Sequence, residues 1–520
     1  MPDQQVHRTD HPVYLFLRKV NLWNDAVNRA TVNFCIGFAK KRLADSQLFS
    51  TFIAMMFSTQ TYQARRETLQ ANVSSGIILL MGNTEAPINF KDNTYPFRQD
   101  STFLYYFGIA APNLAAVIDI DEGRTVIFGD EMTIEDIVWM GRLETLGEKA
   151  GKSGVSETRP ANALAATLLQ AMENGRPVHF LPPYRPANFI RLAQLTGIAI
   201  EQLAESASVE LIKAVVAQRS IKSAEEVVEI ERAVNTSVDM HLAAMRLAKP
   251  GMTEQQVAAT VQHVAQQADG TLAYPTILTV RGEVLHNHFH GNVLQEGDIV
   301  INDSGAETAS GYAGDLTRTF PAGKTFTTLQ KEAYEVVLNA LESATATLKP
   351  GVRYLDIHLH SCRMLTEGLK TLGLMRGDAD EAVAAGAHTL FFQCGTGHMM
   401  GLDVHDMEDL GEQYVGYTDT LRKDTSTFGL KSLRLGKELE AGYVLTVEPG
   451  LYFIPELIDR WKADNKLAEF IDYNKVEAFR NFGGIRVEDD ILITADGYRV
   501  LGKPLAKTVA EIEAVRAEVW

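Results

Sequence analysis

Cysteine is nearly missing from this chain: Cys35, Cys362 and Cys394 are the only three in 520 residues. An odd number without framework spacing excludes a disulfide scaffold and points to a reducing compartment, the cytoplasm. A basic surplus is missing as well, since 49 Lys and Arg stand against 66 Asp and Glu, a formal charge of −17. With nothing spare to neutralise phosphates, nucleic-acid binding is excluded. Long apolar runs are also lacking. The run FSTFIAMMF at 49–57 is too short to span a bilayer and too far from the start for a signal peptide, so no membrane role is expected. What remains has the composition of an ordinary soluble protein, 46% hydrophobic and 22% charged, with no low-complexity tract.

The length exceeds what one hydrophobic core serves, which predicts more than one domain. Residues 1–55 differ from the rest, with seven Lys/Arg and four Asp/Glu, a net of +3 that leaves −20 for the remainder. They read either as a basic amphipathic targeting segment or as an upstream extension before a natural start at Met55 or Met56. The second reading is preferred, and the segment is expected to pack poorly.

From about Tyr62, helix and strand signals alternate. TYQARRETLQANV has helical spacing, SGIILLMG reads as a buried strand, and LAAVIDIDEGRTVIFGD reads as two strands about a turn. An α/β domain is expected over 56–205, a linker over 206–225 and an α+β domain over 226–520. In the latter, SAEEVVEIERAVNTSVDMHLAAMRLA predicts a long helix stopped at Lys249-Pro250-Gly251. Thr253, with Gln256 three residues on, caps a second helix closed by Gly270. Further helices are expected near 328–348 and 354–372. LKPGVRYLDIHLH (348–360) echoes LAKPGMTEQQVAATV (247–261), which hints at a duplicated unit.

Five potential metal ligands fall in the second domain: Asp303 in INDSGAE, Asp315 in GYAGDLTRTF, His398 in GTGHMMGLDVHD, Glu448 in TVEPGLYF and Glu488 in GGIRVEDD. Four carboxylates and an imidazole suit hard or borderline divalent ions such as manganese rather than a thiolate-bound zinc. Two such ions could activate water and polarise a carbonyl for hydrolysis. A strand, a tight turn and a returning strand would unite Asp303 and Asp315, and Glu448 and Glu488 also sit in strand-like runs. Taken singly, a carboxylate is more often a solvated surface group, but apolar strand residues run straight into Asp303 and Glu448.

In LHNHFH, His286, His288 and His290 alternate, so on a strand they would share one face. That face reads equally as a metal trio or as the polar side of an edge strand, with His286 the first candidate for the site. His398 and His405 flank MMGLDV and could face one cavity from one loop. His358, His360 and His388 have no supporting context and read as structural.

From about Tyr62 to Glu513 these residues closely resemble the pita-bread metallopeptidases, specifically the proline-directed group of aminopeptidase P and prolidase. The segment YPFRQDSTFLYYFG (95–108) resembles the N-terminal domain of these enzymes. Methionine aminopeptidases share the ligand set but usually lack that domain. The resemblance implies an α/β N-terminal domain followed by an α+β pita-bread catalytic domain. It implies two divalent ions, manganese by preference: Asp303 on one, His398 and Glu448 on the other, Asp315 and Glu488 bridging. Glu448 would serve as general base and then acid. His286 and His405 would hold the substrate carbonyl, and Arg486 would brace the ligand carboxylates. The implied substrate is a peptide with proline second, and the implied assembly is a homodimer or larger.

Two departures stand out. Where the family has a histidine four residues before the metal-binding one, this chain has Cys394, whose thiol cannot supply an imidazolium. The step from Asp303 to Asp315 is one residue longer than in the best-known members. Arg434 matches an arginine with which prolidases grip a dipeptide carboxylate, a task suited to a guanidinium. The long insert between Glu448 and Glu488 is also prolidase-like, whereas the YPFRQDSTF region favours aminopeptidase P. Xaa-Pro aminopeptidase is the expectation, Xaa-Pro dipeptidase the alternative, and a catalytically silent pita-bread binding protein the reading from another class.

Overall fold

In the computed structural model, which describes residues 57–518, Ser58 opens the first helix, α1 (Thr59–Ala71), by accepting the Thr61 amide at 3.2 Å. The expectations for residues 1–55 lie outside the described residues. β1 (Ile77–Met81) is an almost wholly buried apolar run in a five-stranded sheet. It pairs antiparallel with β2 (Ala115–Asp119), which turns through Gly123 (φ +63) into β3 (Arg124–Phe128). β4 (Glu157–Arg159) lies parallel to β3, and β5 (Val178–His179) parallel to β1, completing the order β4-β3-β2-β1-β5.

The stretch 206–225, expected as a linker, instead holds helix α2 (Val209–Ser220). Leu211, Ile212, Val215 and Val216 recur at helical spacing and are buried, each side chain contributing about 1.5–3 kcal/mol of apolar burial. The chain then enters α3 (Ala224–Leu247) through a Ser223–Glu226 capping box and α4 (Glu254–Gln267) through a Thr253–Gln256 capping box. α3 ends where Ala248 turns extended, and between the two helices Gly251 takes φ +89, the left-handed conformation.

The faint internal echo corresponds to a repeated piece of structure. α5 (Thr328–Ala346) and α6 (Tyr354–Thr371) are joined through Gly351 at φ +83. The Gly251 amide donates to the Leu294 carbonyl and the Gly351 amide to the Leu439 carbonyl, both at 2.8 Å. Thr253 bridges antiparallel to Val293, as Arg353 does to Glu438. Each helix pair thus rests on its own strand segment with the same bonds.

The strands these helices accompany carry the candidate ligands. β6 (Ile277–Thr279), β7 (Ile299–Asp303) and β8 (Thr317–Pro321) form an antiparallel sheet with β7 central, and Asp303 pairs with both Ile277 and Thr317. β9 (Val444–Val447), β12 (Asp489–Ile493) and β13 (Tyr498–Val500) form a second sheet with β12 central. A short ladder of β10 (Gly450–Tyr452) and β11 (Gly484–Arg486) lies between them in sequence. Thr317 bridges antiparallel to Glu488, stitching the two sheets together at the ligands. Among the described residues no helix is long and apolar enough to cross a membrane.

Candidate metal centre

Each ligand position is fixed by backbone. Asp303 ends β7 and Asp315 precedes β8; the return between them closes where Gly305 meets Gly314. A Cβ on Gly305 would lie 1.8 Å from the Gly314 carbonyl oxygen, so no other residue fits. His398 is pinned to β9: its amide donates to Thr446 Oγ1 at 3.2 Å, and the Thr446 amide donates to the His398 carbonyl at 3.0 Å. Gly397 permits this, because its Cβ would stand 2.1 Å from the Thr446 carbonyl oxygen. The Glu448 amide donates to the Thr396 carbonyl at 2.8 Å. The Glu488 amide donates to the Thr317 carbonyl at 3.1 Å, and Thr317 Oγ1 donates to Glu488 Oε2 at 2.6 Å.

The five side chains converge. Donor atoms of Asp315, His398 and Glu488 all lie within 4.8 Å of one another. His398 Nε2 stands 3.3 Å from Asp315 Oδ2 and 3.5 Å from Glu448 Oε1. Its Nδ1 donates to the Met399 carbonyl at 3.0 Å, which leaves Nε2 as the ring nitrogen that faces the carboxylates. Arg486 donates to Asp303 through Nη2, to the Tyr452 hydroxyl at 2.8 Å and to Thr317 Oγ1 at 3.1 Å.

Burial and mutual repulsion govern the charges. Burial, reinforced by Asp315, Glu448 and Asp303, drives the Glu488 carboxyl far above its ordinary range. Burial raises Asp303 and Glu448 too, against the pull of Arg486 on Asp303 and of His398 and Arg486 on Glu448. Asp315 goes the other way, because the hydrogen bond and charge of His398 overcome its burial; His398 is correspondingly raised. Four carboxylates share one guanidinium and one imidazole, so the cluster carries unbalanced negative charge that divalent cations would offset.

Around the cluster lies a cavity of about 580 Å³, lined by all five ligands and by His286, His405, Cys394, Arg434 and Arg486. The rings of His398 and His405 meet edge to face with centroids 4.3 Å apart. His405 Nδ1 donates to Glu408 Oε2 at 2.5 Å, and burial together with His398 lowers its pKa. The protein packed around His286 and the Arg486 guanidinium lower that histidine's pKa as well. Both imidazoles are thereby favoured in the neutral form at the cavity wall.

The strand expected for LHNHFH does not form. Asn287 donates to Thr279 Oγ1 and accepts the Phe289 amide, an Asx turn that breaks the extended backbone. His286 and His288 line the cavity, whereas His290 faces the Thr276 carbonyl at 3.1 Å. His358, His360 and His388 stay outside the cavity lining; His358 bonds Thr396 Oγ1 at 2.8 Å and His360 bonds Ser343 at 2.7 Å. Arg434 Nε lies 3.2 Å from Glu408 Oε2 and 3.7 Å from Glu412 Oε1, in ion-pairing range but without a hydrogen-bonding angle. Burial and the nearby Glu448 push the Cys394 thiol up to about 12, so it stays protonated.

One residue escaped the sequence reading. The Tyr274 hydroxyl bonds Asp303 Oδ1 at 2.7 Å and also Asp315 Oδ1, tying together two ligands twelve positions apart. A lone tyrosine in LAYPTI carries no spacing signal that could have revealed it. The N-terminal domain and the segment around α2 contribute as well. Arg98 bonds Glu307 and donates to the Leu402 carbonyl at 2.7 Å, Ser101 donates to Asp403 at 2.6 Å, and Arg219 and Lys222 pair with buried Asp406. These contacts clamp the loop that presents His405.

Comparison with known proteins agrees with this geometry. The family model for metallopeptidase family M24 matches residues 228–495, and that for the aminopeptidase P N-terminal domain matches 62–179. The chain is 32% identical over 454 residues to a rat Xaa-Pro dipeptidase, covering 85% of this chain and 88% of that one. It is 32% identical over 474 residues to an Escherichia coli K12 Xaa-Pro aminopeptidase, covering 88% and 98%. The solved structure of E. coli aminopeptidase P with the inhibitor Pro-Leu aligns with a TM-score of 0.73 at 30% identity, covering 89% of this chain and 99% of that one.

Proposed function

This chain belongs to metallopeptidase family M24, with an aminopeptidase-P-like α/β domain ahead of an α+β pita-bread catalytic domain, and we propose that it is an Xaa-Pro aminopeptidase. It hydrolyses the bond between an N-terminal residue and a following proline. The observation that carries this reading is the convergence of Asp303, Asp315, His398, Glu448 and Glu488 on one cavity. The donor set fits two hard or borderline divalent ions, with manganese the preferred identity. Asp303, Asp315, His398, Glu448 and Glu488 would hold the ions. Bound there, the ions supply Lewis-acid activation of water and of the scissile carbonyl.

The chain's own groups do the rest. Glu448, its carboxyl raised by burial, takes the proton of the attacking water and returns it to the proline nitrogen as the bond breaks. His286 would donate to the carbonyl oxygen as it gains charge; His405, whose Nδ1 proton is engaged by Glu408, would join it as the imidazolium. Arg486 and Tyr274 keep Asp303 in place through both steps. Release of alanine from Ala-Pro-Ala by metal-loaded protein, lost on chelation, tests the reading.

A second reading, Xaa-Pro dipeptidase, is favoured by the presence of Arg434 in the cavity wall. Against it, Glu408 and Glu412 already partly neutralise that guanidinium. The retention of all five ligands supports an enzyme over a silent binding protein. The scarcity of cysteine supports a cytoplasmic setting, and the family resemblance a homodimer or larger assembly.

A further inference from the structure

Glu408 reaches two groups of the cavity wall at once. It accepts from His405 Nδ1 at 2.5 Å and stands 3.2 Å from Arg434 Nε. The backbone turns sharply to bring it there. Met407, just before the glutamate, holds φ +63, a left-handed conformation that residues other than glycine rarely adopt. A short turn over Glu408–Leu410 follows, and the Met407 side chain is buried. The His405 hydrogen bond, helped by the Arg434 charge, outweighs burial and brings the Glu408 carboxyl down to about 2. Glu408 is therefore ionised at any working pH.

Arg434 is divided by this contact. Its Nε is enclosed against Glu408, whereas Nη1 and Nη2 make no hydrogen bond among the described residues and stay open in the cavity wall. The guanidinium charge acts on both His286 and His405, so the open edge lies beside the groups assigned to the scissile carbonyl. Glu412 is farther from it, at 3.7 Å, and is itself paired with Lys423 at 2.7 Å. The Glu408–Arg434 pair thus carries no net charge yet keeps N–H donors free. A free proline carboxylate would give up its hydration to a pair with no net charge to offset the loss, and with Glu408 close behind. A proline carbonyl in peptide linkage has far less hydration to lose and accepts from the same donors. We propose that Glu408 sets substrate length by masking Arg434: the pair takes the proline carbonyl of a longer peptide and discriminates against the free carboxylate of a dipeptide. The inference rests on the aminopeptidase reading and gives it a means of selecting length.

The test compares alanine release from Ala-Pro with release from Ala-Pro-amide, which differ in charge but hardly in size. Manganese-loaded wild type and Glu408→Gln are assayed in parallel. The expected kcat/KM is about tenfold higher for the amide in wild type, and the gap closes to within about twofold or reverses in the variant, as the unmasked guanidinium grips the carboxylate. The change should sit in the KM for Ala-Pro. Any weakening of His405 by the substitution slows both substrates alike and cancels in the ratio. If Glu408→Gln does not fold, Arg434→Met must abolish the preference for the amide, because the donors that read the carbonyl go with it. Equal rates in wild type, or faster release from Ala-Pro, would overturn the proposal, as would a preference that survives either substitution. Absence of alanine from Ala-Pro-amide and from Ala-Pro-Ala alike, with metal bound, would instead overturn the aminopeptidase reading beneath it.

Discussion

His398 Nε2 faces Asp315 Oδ2 at 3.3 Å while its Nδ1 proton is committed to the Met399 carbonyl. The pair is one contact in a buried cluster whose carboxylates outnumber its cations. Folding such a cluster without metal carries an electrostatic cost, and metal binding relieves it.

Thermal stability should therefore depend jointly on metal and pH. Glu488, Glu448 and Asp303 have raised pKa values in the fold, so the folded protein holds protons that the unfolded chain has released. Their contribution to metal-free stability is full below the ordinary glutamate value of 4.5 and is lost as pH rises through the raised values. Divalent ions bind the ionised carboxylates, so the gain in melting temperature on adding manganese should grow between about pH 5 and pH 8. At a hundredfold excess over Kd the expected gain is about 2.7 kcal/mol, a shift of a few degrees. A gain that shrinks with rising pH in differential scanning fluorimetry would contradict this.

Arg486→Met should weaken metal binding by about 10- to 100-fold, because Asp303 loses the guanidinium that orients it. Isothermal titration with manganese reads the affinity directly. Circular dichroism separates that effect from unfolding, which is a concern because Arg486 is itself buried.

Tyr274→Phe removes a single hydroxyl that bonds two ligands. A loss of metal affinity of about tenfold is expected, with the fold intact since only one oxygen is deleted. Unchanged affinity would reduce Tyr274 to a packing residue.

Why Tyr274 was hidden and Glu488 was not is a matter of local context. Glu448 and Asp303 end apolar strands, and Asp315 and His398 sit beside glycines that the close approach requires, so each ligand announces itself within a few residues. The capping boxes at Thr253 and the Pro-Gly turns were equally local and equally legible. Tyr274 acts across space, and nothing in its immediate neighbours records it. The histidine alternation in LHNHFH misled because an Asx turn at Asn287 overrides the period of two. The helix over 209–220 was missed although its apolar spacing was present.

Cys394→His should raise turnover on Xaa-Pro peptides by about tenfold, by adding a donor that can carry charge where a neutral thiol now stands. Steady-state kinetics on Ala-Pro-Ala tests this. Unchanged or lower turnover would mean that the site has adapted around the thiol.

The most direct test of the whole account is a side-by-side assay of manganese-loaded protein on Ala-Pro-Ala and on Ala-Pro, detecting free alanine. The account predicts release from the tripeptide, with the dipeptide cleaved more slowly or not at all. Release from the dipeptide alone would make this a prolidase with Arg434 as its length gauge, and silence on both with metal bound would contradict the proposed activity.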